Sequence, residues 1–333
     1  MTQKVYYDKL QSSDRFIFIN PEVHSMKLRP ISQVTSRMGA VLLLCIILMA
    51  ACSPIYNWME QNVSYFLSTP LIYALRLLAF LLPAWLLLGP LPKKPNPMRP
   101  SGTPEHWIAW AVLGYGICLL ITTAVLSVGL GGPTFQILAQ DFPPDFLPNL
   151  WLLIPAALGE EFMFRRFYCA YLSPYGHTFA ILVSAYLFAF FHGNLPQALY
   201  AFPFGILTGY LYLKTGTIAL PFLVHLLDNV LFQQSLRLHA LLSARTGLPY
   251  GQGFFFCSMV LILLPLLYLC LRLKQQGSPS PLFQIRQVLR CIGAQKADYK
   301  AAFASGGMLL VHAWFAVSCL VSLGAMIALT HGW

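Results

Sequence analysis

Nine apolar stretches recur along this chain of 333 residues. Each is about 16 to 26 residues long, close to the roughly 20 a helix needs to cross the hydrocarbon of a bilayer. They fall near 38–54, 66–89, 106–130, 147–172, 177–192, 197–213, 217–233, 252–272 and 306–330. The fifth, sixth and seventh are short, which tight turns or a place inside a bundle would accommodate. Backbone groups in lipid must find internal partners, so these stretches are helices and not open strands. The expected fold is all-α: a multi-pass transmembrane helical bundle of about eight to nine spans. Composition agrees. Only 10% of the residues are charged, against about 25% in a soluble domain, and mean hydropathy is +0.64. An ordinary soluble globule, a disordered chain and a nucleic-acid-binding domain built on a charged surface are excluded. The lipid bilayer is the implied partner, and nucleic acid is not.

The formal charge of +10 then reads as topology, because basic residues hold one face of a membrane protein in the cytoplasm. The N-terminal tail carries Lys4, Lys9, Arg15, Lys27, Arg29 and Arg37. Lys93, Lys94 and Arg99 lie in the 90–105 loop, Arg165 and Arg166 end the fourth span, Lys214 follows the sixth, and 271–305 holds six more. With nine spans and a cytoplasmic N-terminus, 18 of the 21 basic residues fall inside. Arg237 and Arg245 fall outside, and Arg76 lies within the second span. The 37 residues before the first span are too long and polar for a secretory leader, so that span is expected to stay uncleaved. The expectation is an integral multi-pass protein of a bacterial inner membrane. The 90–105 and 274–305 segments read as its sizeable cytoplasmic linkers. Eight scattered cysteines form no CxxC and sit mostly in apolar runs, which argues against a disulfide framework or a zinc ribbon.

Against this apolar background, five ionisable residues in the fourth to seventh spans stand out: Glu160, Glu161, His192, His225 and Asp228. A charge at bilayer depth costs about 2.5–3.5 kcal/mol even on a lenient scale, and such groups face a bundle interior and serve a function. Glu161 and Arg165 are i and i+4 and can pair on one helix face. Glu160 points about 100° away, free for another task. Phe188 and His192 share a face by the same spacing, as do His225 and Asn229. Counted at about 1.5 Å per residue from the turns near 173–176 and 215–216, Glu160 lies about 20 Å up its helix, His192 about 24 Å, His225 about 14 Å and Asn229 about 20 Å. The four can therefore meet at one level. A buried carboxylate can act as a general base, a histidine can share its proton or orient a water, and a second histidine with an amide can stabilise an oxyanion. Those are the parts for amide hydrolysis. The same residues also allow a zinc site, with Glu160, His192 and His225 as ligands and a bound water in the open position.

The order Glu160-Glu161-x-x-x-Arg165, Phe188-x-x-x-His192 and His225-x-x-x-Asn229, each on its own membrane helix, resembles the CAAX protease and bacteriocin-processing (CPBP, or Abi) family of intramembrane endopeptidases. The resemblance spans roughly 145–240, less than a third of the chain. It implies Glu160 as catalytic base, His192 as its partner, His225 and Asn229 as oxyanion donors, and a supporting role for Glu161 with Arg165. Phe188 belongs to the second motif and reads as packing. Asp228 lies outside the short motif, placed to orient His225 or to disturb it. The chain then divides into a cytoplasmic tail (1–37), N-terminal transmembrane helices (38–144), the catalytic core (145–240) and C-terminal transmembrane helices with a basic cytoplasmic loop (241–333).

The function expected is hydrolysis of a peptide bond in a membrane-associated or prenylated protein or peptide by glutamate-activated water. No cofactor is expected, with zinc as the alternative, because Asn229 is a poor zinc ligand and a good oxyanion donor. There is no His-Glu-x-x-His zinc motif and no Gly-x-Gly-Asp aspartyl motif. The rival reading is a transporter or noncatalytic scaffold that uses the Glu/His cluster as a proton relay or structural network. Transport favours repeated halves, whereas the polar residues here are concentrated in one half.

Overall fold

The computed structural model describes residues 29–90, 104–127, 146–231, 252–275 and 281–331. All the regular structure among them is helical. In chain order the helices are α1 (Ile31–Asn62), α2 (Tyr65–Leu88), α3 (Pro104–Ser127), α4 (Phe146–Glu161), α5 (His177–Phe191), α6 (Leu195–Thr215), α7 (Ala219–Leu231), α8 (Gln252–Gln275), α9 (Pro281–Ala294), α10 (Lys296–Phe303) and α11 (Gly306–His331). Every apolar stretch read from the sequence overlaps one of these helices. Five of them, α1, α2, α3, α8 and α11, are long and apolar enough by themselves to cross a membrane, while α5 and α7 are shorter apolar helices. The protein is an integral membrane helical bundle.

Three details differ from the sequence reading. Helix α1 begins at Ile31 and runs 32 residues, so it takes up the end of the expected N-terminal tail. The 274–305 segment is not a bare linker: it forms α9 and α10. Most of the 90–105 loop, residues 1–28, Arg237, Arg245 and Trp333 lie outside the described residues. Arg165, counted above among the cytoplasmic charges, is fully buried and paired inside the bundle, so it does not mark a face of the membrane.

The packing depends on small residues where helices cross. At the crossing of α1 and α11, a Cβ on Gly307 would stand 1.8 Å from the carbonyl oxygen of Ser36, and one on Gly39 would stand 2.4 Å from the Gly307 backbone. The Gly307 amide donates to Ser36 Oγ at 3.0 Å across the same contact. Close backbone approach through glycine and serine is how membrane helices gain contact when lipid offers no hydrophobic drive to associate. Gly205 does the same for α6 against Ala185 of α5. Helix α3 packs on both α6 and α8, and α2 packs on α4.

After Glu161 the fourth span continues as a π-helical segment, Phe162–Cys169, in which six of eight residues are buried. It forms the centre of the bundle. Tyr168 donates to the Met38 carbonyl of α1 at 2.9 Å, and Ser184 of α5 donates to the Phe164 carbonyl at 2.6 Å. Such π segments recur at functional sites because they re-aim side chains within a helix.

Candidate active site

Glu160 and Glu161 are the last two residues of α4 before the π segment, and their separation around the helix gives them different environments. The Glu161 side chain is fully buried, whereas that of Glu160 is 20% exposed. Glu161 Oε2 accepts from Arg165 Nε at 3.0 Å, and its other oxygen lies 2.8 Å from His225 Nδ1. The guanidinium also donates to Ser184 Oγ at 3.0 Å and lies 5.1 Å from the centre of the Phe188 ring. The Glu161–Arg165 pair expected from spacing is present. Its extension to His225 and Ser184 is not visible in local sequence, since both partners lie on other helices.

The carboxylate fixes the histidine's tautomer. An ionised Glu161 can only accept, so Nδ1 of His225 carries the proton that it donates. Nε2 of the same ring then faces Glu160, whose Oε2 lies 3.8 Å away, beyond a direct hydrogen bond. Asn229 follows one turn further along α7 and is half-buried. Asp228 lies close enough to His225 for its charge to act on the ring, and it also faces the hydroxyl of Tyr115 on α3.

His192 ends α5, where its Nδ1 lies 2.9 Å from the Phe188 carbonyl. A carbonyl also only accepts, so Nδ1 donates and the neutral ring keeps a lone pair on Nε2. The turn that follows is set by Asn194, which the sequence reading missed. Asn194 donates to the His192 carbonyl at 3.0 Å and caps α6 by accepting from the Gln197 amide at 2.9 Å. A capping asparagine just before Leu195-Pro196 is a legible signal. Phe188 is buried in the middle of the group, its ring 5.1 Å from that of His192 and 5.8 Å from that of His225, both edge-on. Its place is packing between the two histidines and Arg165.

Residues 143–231 match the family model for type II CAAX prenyl endopeptidase, Rce1-like. This stretch is similar to the CAAX-protease family. No curated protein and no solved structure gave a match. The matched stretch runs from the start of α4 to the end of α7 and contains all eight site residues read from the sequence. The match supports a peptide hydrolase in the membrane.

Glu160 also opens onto a cavity of about 390 Å³ between α1, α2, α4 and the end of α5, lined among others by Tyr56, Tyr73, Arg76, Gly159 and Phe191. Among the described residues, no three His, Cys, Asp or Glu side chains are grouped closely enough to hold a metal. Glu160, His192 and His225 are neighbours without forming such a ligand set.

Proposed function

We propose that this CAAX-protease-like core hydrolyses a peptide bond in a membrane-associated or prenylated protein or peptide, using water activated by Glu160, in a bacterial inner membrane. The observation that carries this reading is the division of labour between adjacent carboxylates: Glu161 is sealed against Arg165 and His225, and Glu160 opens to a cavity. In the step proposed, water attacks the scissile carbonyl carbon and gives a proton to Glu160. The carbonyl oxygen becomes an oxyanion, received by Nε2–H of a doubly protonated His225 and by the Asn229 amide. The negative carboxylate of Glu161 offsets the ring's charge from behind. The C–N bond then breaks, and the proton held by Glu160 passes to the leaving amine. The lone pair on Nε2 of His192 suits it to orient the water beside Glu160.

The reading is tested on the full chain in nanodiscs with quenched-fluorescent peptides, one farnesylated and one carried on a transmembrane anchor. Cleavage of at least one is expected, with no zinc found by elemental analysis of the active protein. Asn229→Ala should slow cleavage about 10²- to 10³-fold, the usual loss for one oxyanion donor. About one zinc per chain, with activity lost to a chelator and restored by zinc, would overturn the metal-free mechanism and make Glu160, His192 and His225 ligands after rearrangement.

The orientation proposed has the N-terminus and α9 in the cytoplasm and the C-terminus outside. Gly293, near the end of α9, has open space around it. With the eight native cysteines replaced, Gly293→Cys in intact cells should resist an impermeant maleimide until the membrane is permeabilised. Labelling from outside would reverse the orientation.

A further inference from the structure

Arg76 lies in the middle of α2 and lines the same cavity as Glu160. An arginine at this depth is expensive unless something offsets its charge. Arg165, the fully buried arginine of the core, has Glu161, whereas Arg76 is half-buried. Among the described residues, Arg76 has no carboxylate at ion-pair distance. Aromatic faces hold it instead, with the guanidinium carbon 5.2 Å from the centre of the Tyr56 ring and 5.1 Å from that of Tyr73. Cation–π contacts steady a guanidinium without supplying a counter-charge; the Tyr73 hydroxyl takes one of its donors, and a planar fork of five donors leaves others for a ligand. The cationic fork is thus fixed in place, unneutralised, on the wall of a cavity whose other wall carries the proposed base.

We propose that Arg76 binds a carboxylate of the substrate and so selects where the chain is cut. This rests on the hydrolase reading of Glu160. A cavity of about 390 Å³ is near the lower end for a ligand cleft. Its cube root is about 7 Å, the span of roughly two residues of extended chain. A carboxylate on Arg76 therefore places the scissile bond only a few residues away, beside Glu160. Two sources supply that group: the free C-terminus of the substrate, or an acidic side chain close to the cut.

The test uses three peptides of one sequence: a free C-terminal acid, a C-terminal amide, and the amide with Asp replacing the residue nearest the end. Wild type should prefer one of the two carboxylate-bearing peptides over the plain amide by about 10- to 100-fold in kcat/KM, the range of a hydrogen bond to a charged group. Which of them is preferred identifies the source. Arg76→Gln should bring that ratio close to one, and Arg76→Lys should recover part of it, since an ammonium keeps the charge but loses the planar fork. A wild-type ratio near one, or a ratio that survives in Arg76→Gln, would overturn the proposal and leave the hydrolase reading intact. Binding supplies a readout that does not depend on turnover. In a Glu160→Gln background the preferred peptide should raise the melting temperature more than the amide does, and adding Arg76→Gln should remove the difference. If no peptide is cleaved yet that difference is present, the hydrolase reading falls and the carboxylate site stands.

Discussion

Glu160→Gln is expected to reduce peptide hydrolysis by about 10³-fold or more while the protein still inserts and purifies as one species. Loss of a general base by itself removes about 10² to 10⁴ in rate. The amide is isosteric with the carboxylate, so the cavity and the packing of α4 on α2 stay as they are. Its effect on stability should be small. The Glu160 side chain is partly exposed, and the histidine within ion-pair range, His225, has its Nε2 3.8 Å away. No strong native pair is lost. The measurement is initial rate on the farnesylated or anchored peptide, together with a melting curve in the same detergent. Turnover near the wild-type rate with Glu160→Gln would remove Glu160 from the chemistry. It would leave His192 as the alternative base, since its Nε2 carries a lone pair when Nδ1 donates to the Phe188 carbonyl.

The long spans were legible because lipid imposes one simple requirement, sustained apolarity, and α1, α2, α3, α8 and α11 meet it over 18 residues or more. Helix α9 was not legible by that test. Its sequence, Pro281–Ala294, interleaves Ile285, Val288 and Leu289 with Arg286 and Arg290, so a count over a span-length window averages it to a polar linker. Its period of three to four residues was the signal that would have found it. In the site, spacing along one helix was readable: Glu161 with Arg165 and His225 with Asn229 need only the pitch of a helix. Adjacent carboxylates about 100° apart were certain to part company, but which of them meets His225, 64 residues on, is decided by packing between α4 and α7. Ser184 illustrates the same limit. Its hydroxyl joins Arg165 to the Phe164 carbonyl, and nothing in the local sequence of α5 marks it apart from any other serine. The π segment Phe162–Cys169 contains neither glycine nor proline, so no helix-breaking residue announced the change of pitch.

Glu161→Ala is expected to have the largest effect on stability of any substitution in the core. Glu161 and Arg165 are both fully buried, and the carboxylate serves two partners at once, Arg165 and His225. Removing it leaves a buried guanidinium with only Ser184 and the face of Phe188, and breaking a buried ion pair from one side costs roughly 3–5 kcal/mol. The melting temperature or yield of Glu161→Ala should therefore fall well below that of Glu160→Ala, and equal values would count against the ion pair as a structural element. Activity should fall as well, because His225 loses the acceptor that fixes its Nδ1 proton and aims Nε2 toward Glu160. A double substitution separates the two effects. Glu161→Leu with Arg165→Met removes both charges and leaves no uncompensated ion, so stability should return toward wild type, while hydrolysis stays low for want of the His225 partner. Recovery of both together would mean that Glu161 serves only to neutralise Arg165. Recovery of stability alone assigns it both tasks, one carboxylate holding the core together and setting the ring that faces the substrate.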